Sequence, residues 1–541
     1  LYPYEDTIDP DTGVPYNITQ WHSVHADHLG GFTLLRNAST DNIARLTSAT
    51  SPAEESLVSS GSSPAYGSSV ASVLSLNPEN SLAVRQIQSF AIAGGTFREF
   101  RAKEQYQSLP VDTWVDVTGG ENAFRADMTI FSAQLGQDVF FVDGTSVKYY
   151  DASTAAIVTW TPSAGSLPVD TNSNRARLIA TYRGRIVLSG LKGDPANFFM
   201  SAVGDALDWD YGVSPQTETM AVAGGASSAG KSPDKINCMI PMSDDVLILG
   251  GDHTVFALRG DIAAEGGRID LMSDQTGTAW GQGAFCKDPY GQFFVFGSRG
   301  GVYGGRLGGE VTKISTPAVE ERMATTIDLN KHLVNMVWNE REHGFHLFVT
   351  PLRFGVDSNT PEKQTHYFYD SRNQAWWIDT FANNNHQPRC VHMFDGDDPN
   401  DRALLVGGGD GVIRKWDPNC TTDGNVSGDT SNITSHAYLG PFQTAGESNL
   451  MIEEMVGTVA QGSGTVTYDV FAGNSAEDAY NRSTARFSGS WTAGRNQSER
   501  RRAQGRSIYI KVGNSDSSGW ALEDITCFYR EIPGPVTRRA T

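Results

Sequence analysis

Hydrophobic and polar positions recur along the chain in one local order. A short apolar strand leads into a turn built on Gly or Asp-Gly, and a second strand follows that ends on an aromatic residue, often with Asp after it. Seven copies stand at 90–100, 139–151, 186–210, 246–258, 293–303, 345–379 and 403–417. Gly and Asp supply the backbone conformations of tight hairpin turns, and β-branched and aromatic runs fit a pleated, half-buried surface. The copies start 49, 47, 60, 47, 52 and 58 residues apart, against the roughly 40 to 50 residues of a four-stranded propeller blade. The pattern predicts an all-β fold holding a β-propeller of six or seven blades, with insertions where the gaps lengthen.

The flanks read differently. Residues 1–82 carry little strand signal and include a Ser-, Ala- and Gly-rich stretch at 47–75, which predicts an extended N-terminal arm of the kind that contacts a neighbour. The propeller is expected over 83–418. One helix is expected inside it, with Thr316 as cap, Pro317 in the first turn and VEERMATTI after it. The polar run TTDGNVSGDTSN places a linker at 419–432, and 433–541 is expected to form a β-sandwich or barrel. Its strands are predicted at 449–459, 464–472, 484–491, 506–512 and 520–530, with apolar and polar residues alternating in 465–471 and 507–512.

A chain of 541 residues exceeds one core. Its 57 glycines and 10% aromatic content suit many turns between half-buried strands and argue against disorder. The formal charge of −20 argues against wrapping nucleic acid, which requires a cationic surface. Cys238, Cys286, Cys390, Cys420 and Cys527 lie far apart without CxxC spacing and read as reduced core thiols. No run approaches 18 apolar residues, and the first residues carry neither a basic nor an apolar leader pattern, so a folded cytosolic or particle-bound protein without a membrane span is expected. A first residue other than Met points to processing or to numbering that omits leading residues.

Several motifs approach known chemistry and stop short. Gly225 to Ser232 (GASSAGKS) satisfies the Walker A pattern, but phosphate binding needs a helix opening at Gly-Lys-Ser. Only 13 residues separate Ser232 from the apolar run at Val246, Pro233 and Pro241 among them, so an inter-blade loop is expected. Trp21 to Gly31 (WHSVHADHLGG) resembles the HxHxDH metal motif of the metallo-β-lactamase fold, yet Ser23 stands where its first histidine is needed. Asp395, Asp397, Asp398 and Asp401 could offer oxygens to calcium but lack the closing Glu of an EF-hand loop. His343 and His346 are oddly spaced on one predicted strand and so point to opposite faces. No Gly-x-Ser-x-Gly elbow occurs. The Asn-x-Ser/Thr sequons, among them Asn17, Asn37, Asn425, Asn432, Asn481 and Asn496, carry little meaning without a secretory signal. Neither catalytic residues, nor a metal site, nor a cofactor is expected. Arg500, Arg501, Arg502 and Arg506 form the one dense basic cluster, with Arg538 and Arg539 near the end, and are expected to contact an acidic neighbouring subunit.

Three passages carry a family resemblance. WVDVTG at 114–119, FSAQLGQDVFFVDGTSVKYYD at 131–151 and ARLIATYRGRIVLSGLKGDPANFFMSAVGDALDWDYG at 176–212 resemble tail and neck structural proteins of short-tailed bacteriophages, above all their propeller-bearing tail nozzle, the tail tubular protein B type. RAQGRSIYIK at 502–511 followed by WALEDI at 520–525 is similar to the C-terminal strand pair of that group. The resemblance implies a virion protein assembled in the host cytoplasm. It further implies a homohexameric ring below an adaptor ring, contacts with adaptors and with fibres or spikes, and a distal DNA exit channel that genomic DNA traverses without specific binding. Two other readings compete: a propeller scaffold for protein–protein interaction, and a propeller glycosidase or lyase whose acid and base converge at the central channel.

Overall fold

The computed structural model describes residues 129–316 with short breaks, 332–351, 365–379, 388–394, parts of 403–416, 435–443 and 448–532, together with a few helical positions and the backbone of short strands elsewhere. Strand is the dominant element among the described residues and helix is nearly absent; the strands form many small antiparallel sheets. By contact the chain divides into two compact units, 48–366 with 383–416, and 1–47 with 367–382 and 417–541.

Six four-stranded sheets follow one another along the chain, spanning 70–116, 131–159, 178–223, 238–273, 285–313 and 332–379, each with its strands in sequence order. Strands Pro388–Phe394, Ala403–Gly408 and Ile413–Trp416 repeat the order as a seventh. Five of the seven copies of the sequence pattern fall on the second and third strands of one sheet; the copy at 186–210 runs on to Asp208–Trp209, and the copy at 345–379 also takes in the fourth strand, Ala375–Asp379. The copy at 139–151, for example, forms Asp138–Val142 and Val147–Asp151. The first sheet begins with Val70–Leu76, paired to Gln88–Ala93, so sheet structure starts within the stretch expected to be an arm. The expected linker likewise contains a short pairing, Thr422–Asp423 with Ser431–Asn432.

The recurring residues have physical jobs. In the second sheet Asp143 is buried, and its Oδ1 accepts from Thr145 N–H at 2.7 Å and Ser146 N–H at 2.6 Å, closing the Asp-Gly turn. Gly144 sits at φ +86°, and a Cβ there would fall 2.6 Å from Arg177 Cγ, so neither backbone nor space admits a larger residue. The Asp after the aromatic strand end closes the next turn: Asp151 Oδ1 accepts from Ser153 N–H at 2.9 Å, and Asp370 Oδ1 from Arg372 N–H at 2.9 Å. The aromatic residues fill the space between sheets. Trp160 and Trp209, with ring centroids 5.8 Å apart, both donate their indole N–H to Ala206 O, joining the second and third sheets.

Neighbouring sheets touch through their first strands. Thr181 Oγ1 donates to Gln134 O at 2.9 Å, Gln282 Nε2 donates to Ile179 O and Met239 O, and Asn335 Nδ2 donates to Arg389 O at 3.1 Å. Pro388–Phe394 of the seventh sheet lies against Val70–Leu76 of the first. At the expected helix, positions 319, 320 and 323 are helical, and Glu320 N–H bonds Thr316 O at 3.1 Å.

Residues 435–532 form two facing sheets. One orders Ser435–Gln443, Ser507–Asn514, Val466–Gly473 and Phe487–Trp491; the other sets Asn449–Val459 between Ala521–Ile532 and the edge strands Gly494–Arg495 and Glu499–Gly505. Leu450, Ile452, Met455 and Val459 share one core with Tyr468, Val470, Ile510 and Trp491. This is a sandwich, and all five strands predicted there are present, with three further ones.

Candidate functional site

The basic cluster lies along one edge of this sandwich. Among the described residues Glu499–Gly505 pairs with Asn449–Val459 alone. Ala503 and Gly505 are the buried positions that seat it, Ala503 opposite Ile452 and Gly505 opposite Leu450. The register then slips: after Ala503 and Ile452, the next pair is Arg500 and Glu454. Arg501 and Arg502 thereby bulge opposite Glu453, and Arg500, Arg501, Arg502 and Arg506 are all exposed. Arg500 Nε lies 3.6 Å from Glu454 Oε2, while Arg530 Nη2 lies 3.0 Å from Glu453 Oε1. Exposed pairs of this kind contribute about 0–1 kcal/mol, so this edge contributes little to stability. Charge on a sheet edge also blocks indiscriminate strand pairing.

Sequence reasoning missed the width of this belt. Arg486 and Arg495 are exposed as well, and 482–506 holds seven arginines against one acidic residue, Glu499. Their spacing hides them in the sequence; the path from Phe487–Trp491 at the edge of one sheet to Glu499–Gly505 at the edge of the other joins them.

The remaining candidates separate. Lys231 of the Walker-like stretch is held by Asp194, 2.8 Å from both carboxylate oxygens, and Gly225 N–H donates to Asn197 Oδ1, with no helix after Ser232. His346 is buried 3.4 Å from Glu342 with its ring edge-on to Trp416. His343 instead occupies the preceding turn at φ +57°. The expected placement of both on one strand does not hold: His343 is exposed in the turn, and only His346 lies on the strand Gly344–Pro351. Asn496 of one sequon folds back on Thr492, Gly494 and Gly457. Cys238, Cys286, Cys390 and Cys527 are free thiols, and burial pushes Cys527 up to about 12. The histidine motif at 21–31 is described only for the backbone of Val24–His25; the 395–401 loop, Cys420, Arg538 and Arg539 lie outside the described residues. No group of three or more His, Cys, Asp or Glu side chains suited to a metal ion occurs among the described residues, and no helix among them is long and apolar enough to cross a membrane.

No protein-family model matches the chain, and no curated protein matches it. Solved structures similar to it include a fungal alcohol oxidase of the AA5 family in complex with copper, at 9% identity and a TM-score of 0.40, covering 87% of this chain and 98% of that one. The extracellular domain of a one component system from B. thetaiotaomicron matches at 9% identity and a TM-score of 0.38, covering 86% of this chain and 57% of that one. U3-55K matches at 9% identity and a TM-score of 0.37, covering 63% and 88%. Likenesses this distant bear on neither activity nor assembly.

Proposed function

We propose that the chain is a structural subunit of a bacteriophage tail, forming the distal nozzle ring of the DNA exit channel, where it holds the genome in and guides its ejection. In this reading the seven sheets are the blades of one β-propeller, the sandwich is an assembly domain, and the subunits form a homohexamer that meets tail adaptors and fibres or spikes.

The succession of sheets, with the first strand of the seventh against that of the first, is the observation that carries this reading. A closed ring of sheets leaves only short protected edges and makes a rigid wall. Charge adds support. Residues 433–541 contain eleven Lys and Arg against eleven Asp and Glu, so the net −20 resides in 1–432. Such a surface repels phosphate and lets a DNA duplex pass without sticking. The sequence likeness to phage tail proteins at 114–212 supplies the biological setting. An antibody raised against the purified chain is expected to label the tail tip of the phage particles that carry it. Particles that contain no such antigen would end the reading.

A further inference from the structure

We infer that copies of this chain join head to tail, the arginine edge of one sandwich seating on the turn end of the third to fifth sheets of the next copy. The inference rests on the ring reading above and names its contact.

In a four-stranded antiparallel sheet, the turn between the first two strands and the turn between the last two lie at the same end. Two bridges bring these ends of the third, fourth and fifth sheets together. Tyr182 Oη donates to Asp245 O and Gly260 O, and Lys287 Nζ donates to Pro241 O at 2.7 Å. Three of the few large apolar side chains left open to solvent lie on turns at this end: Tyr290 at 85% exposure and Leu307 at 43% on the fifth sheet, and Val203 at 41% on the third. The same turns carry the exposed carboxylates of Asp205, Asp244 and Glu310, with Arg268 and Arg306 as exposed cations, Arg268 2.9 Å from Asp270. Asp245 is engaged by Arg183 at 2.5 Å. Exposed apolar side chains and carboxylates on one face are the ingredients of a protein interface.

Charge complementarity selects the occupant. Residues 482–506 hold seven arginines against one acidic residue; Arg482 is paired with Asp478 and Arg500 lies beside Glu454, which leaves the edge with an excess of positive charge, on a chain whose other large part holds the whole net charge of −20. A second copy therefore offers each surface its opposite. The two patches are different surfaces, so the contact is heterologous; such a contact gives a ring when its rotation closes and an open filament when it does not.

Sedimentation velocity of the full chain at 50 and 500 mM salt tests this. Assemblies at low salt are expected to dissociate at high salt. R495E/R500E/R502E should weaken association about 100-fold, and D244K/E310K by a similar factor. Combining both sets should restore it to within about tenfold of the parent. R495Q/R500Q/R502Q, weakened about tenfold, and thermal melts matching the parent guard against misfolding. Rings that neither set disturbs overturn the contact and leave the ring reading standing; a parent chain that stays monomeric at 50 mM salt overturns both. Retention of labelled duplex DNA by the parent but not by R495E/R500E/R502E would assign the edge to nucleic acid instead, and that too overturns the inference.

Discussion

Replacing Asp143 with Ala tests the physical basis of the repeat. Its carboxylate is 2% exposed and accepts four hydrogen bonds: Oδ1 from Thr145 N–H, Thr145 Oγ1 and Ser146 N–H, and Oδ2 from Ser146 Oγ at 2.7 Å. The two hydroxyls can turn to other acceptors, but the two backbone donors are fixed by the turn. An orphaned buried donor costs about 1–3 kcal/mol; Thr145 is exposed and Ser146 half-buried, so water reaches part of the turn and Asp143→Ala should cost about 1–3 kcal/mol in all. Asp143→Asn keeps an oxygen for both N–H groups and should recover more than half of that. Unfolding of a multi-domain chain is rarely all-or-none, so hydrogen exchange in peptides covering Asp138–Val142 and Val147–Asp151 is the appropriate readout. Loss of protection under about 0.5 kcal/mol in Asp143→Ala, well below the cost of one orphaned donor, would refute the reasoning. An Asn variant as damaged as the Ala variant would refute it equally.

Three further outcomes are expected. Gly457→Ala places a Cβ 2.5 Å from Trp491 Cδ2 at the centre of the sandwich, and overpacking of this kind costs about 1–3 kcal/mol; an unchanged melting temperature would contradict it. Lys231→Ala removes a half-exposed partner of Asp194 and should leave calorimetric titrations with Mg-ATP as flat as those of the parent, whereas binding that the substitution abolishes would revive a phosphate loop. Burial and the nearby Lys511 cation lower His436 from 6.5 to about 4. The unfolded chain then takes up the proton first, so stability present above pH 6.5 is lost as pH falls toward 4. His436→Gln should flatten that part of the melting-temperature profile between pH 7 and 5, and an identical slope in both proteins would refute the assignment.

The middle hairpin of each sheet was legible because turn chemistry and strand pattern coincide there, as in the Asp143-Gly144 turn between two apolar strands. The outer strands were not. Val222–Ala223 pairs over two residues, and Arg268–Ser273 leaves Leu271 57% exposed, so neither shows the alternation that marks a half-buried strand. Leu178–Tyr182 is buried at four of its five positions and likewise lacks alternation. The arginine cluster was visible as charge, but ERRRAQG carries no strand period. Its place at a sheet edge follows from backbone pairing to Asn449–Val459 and from Gly505, whose absent side chain allows the backbone to approach Gly473. The carboxylates at the turn end are separated by more than 100 residues, Asp205 from Glu310, and only the strand order of the sheets places them at one end.

Whether the seven sheets close on one another, and whether such subunits form a larger ring, are both decided by electron microscopy of the purified chain at low salt, because class averages resolve both levels. Six-fold rings in which each subunit contains a seven-lobed annulus are expected; separate particles, or subunits whose sheets form an open array, would refute the proposed nozzle.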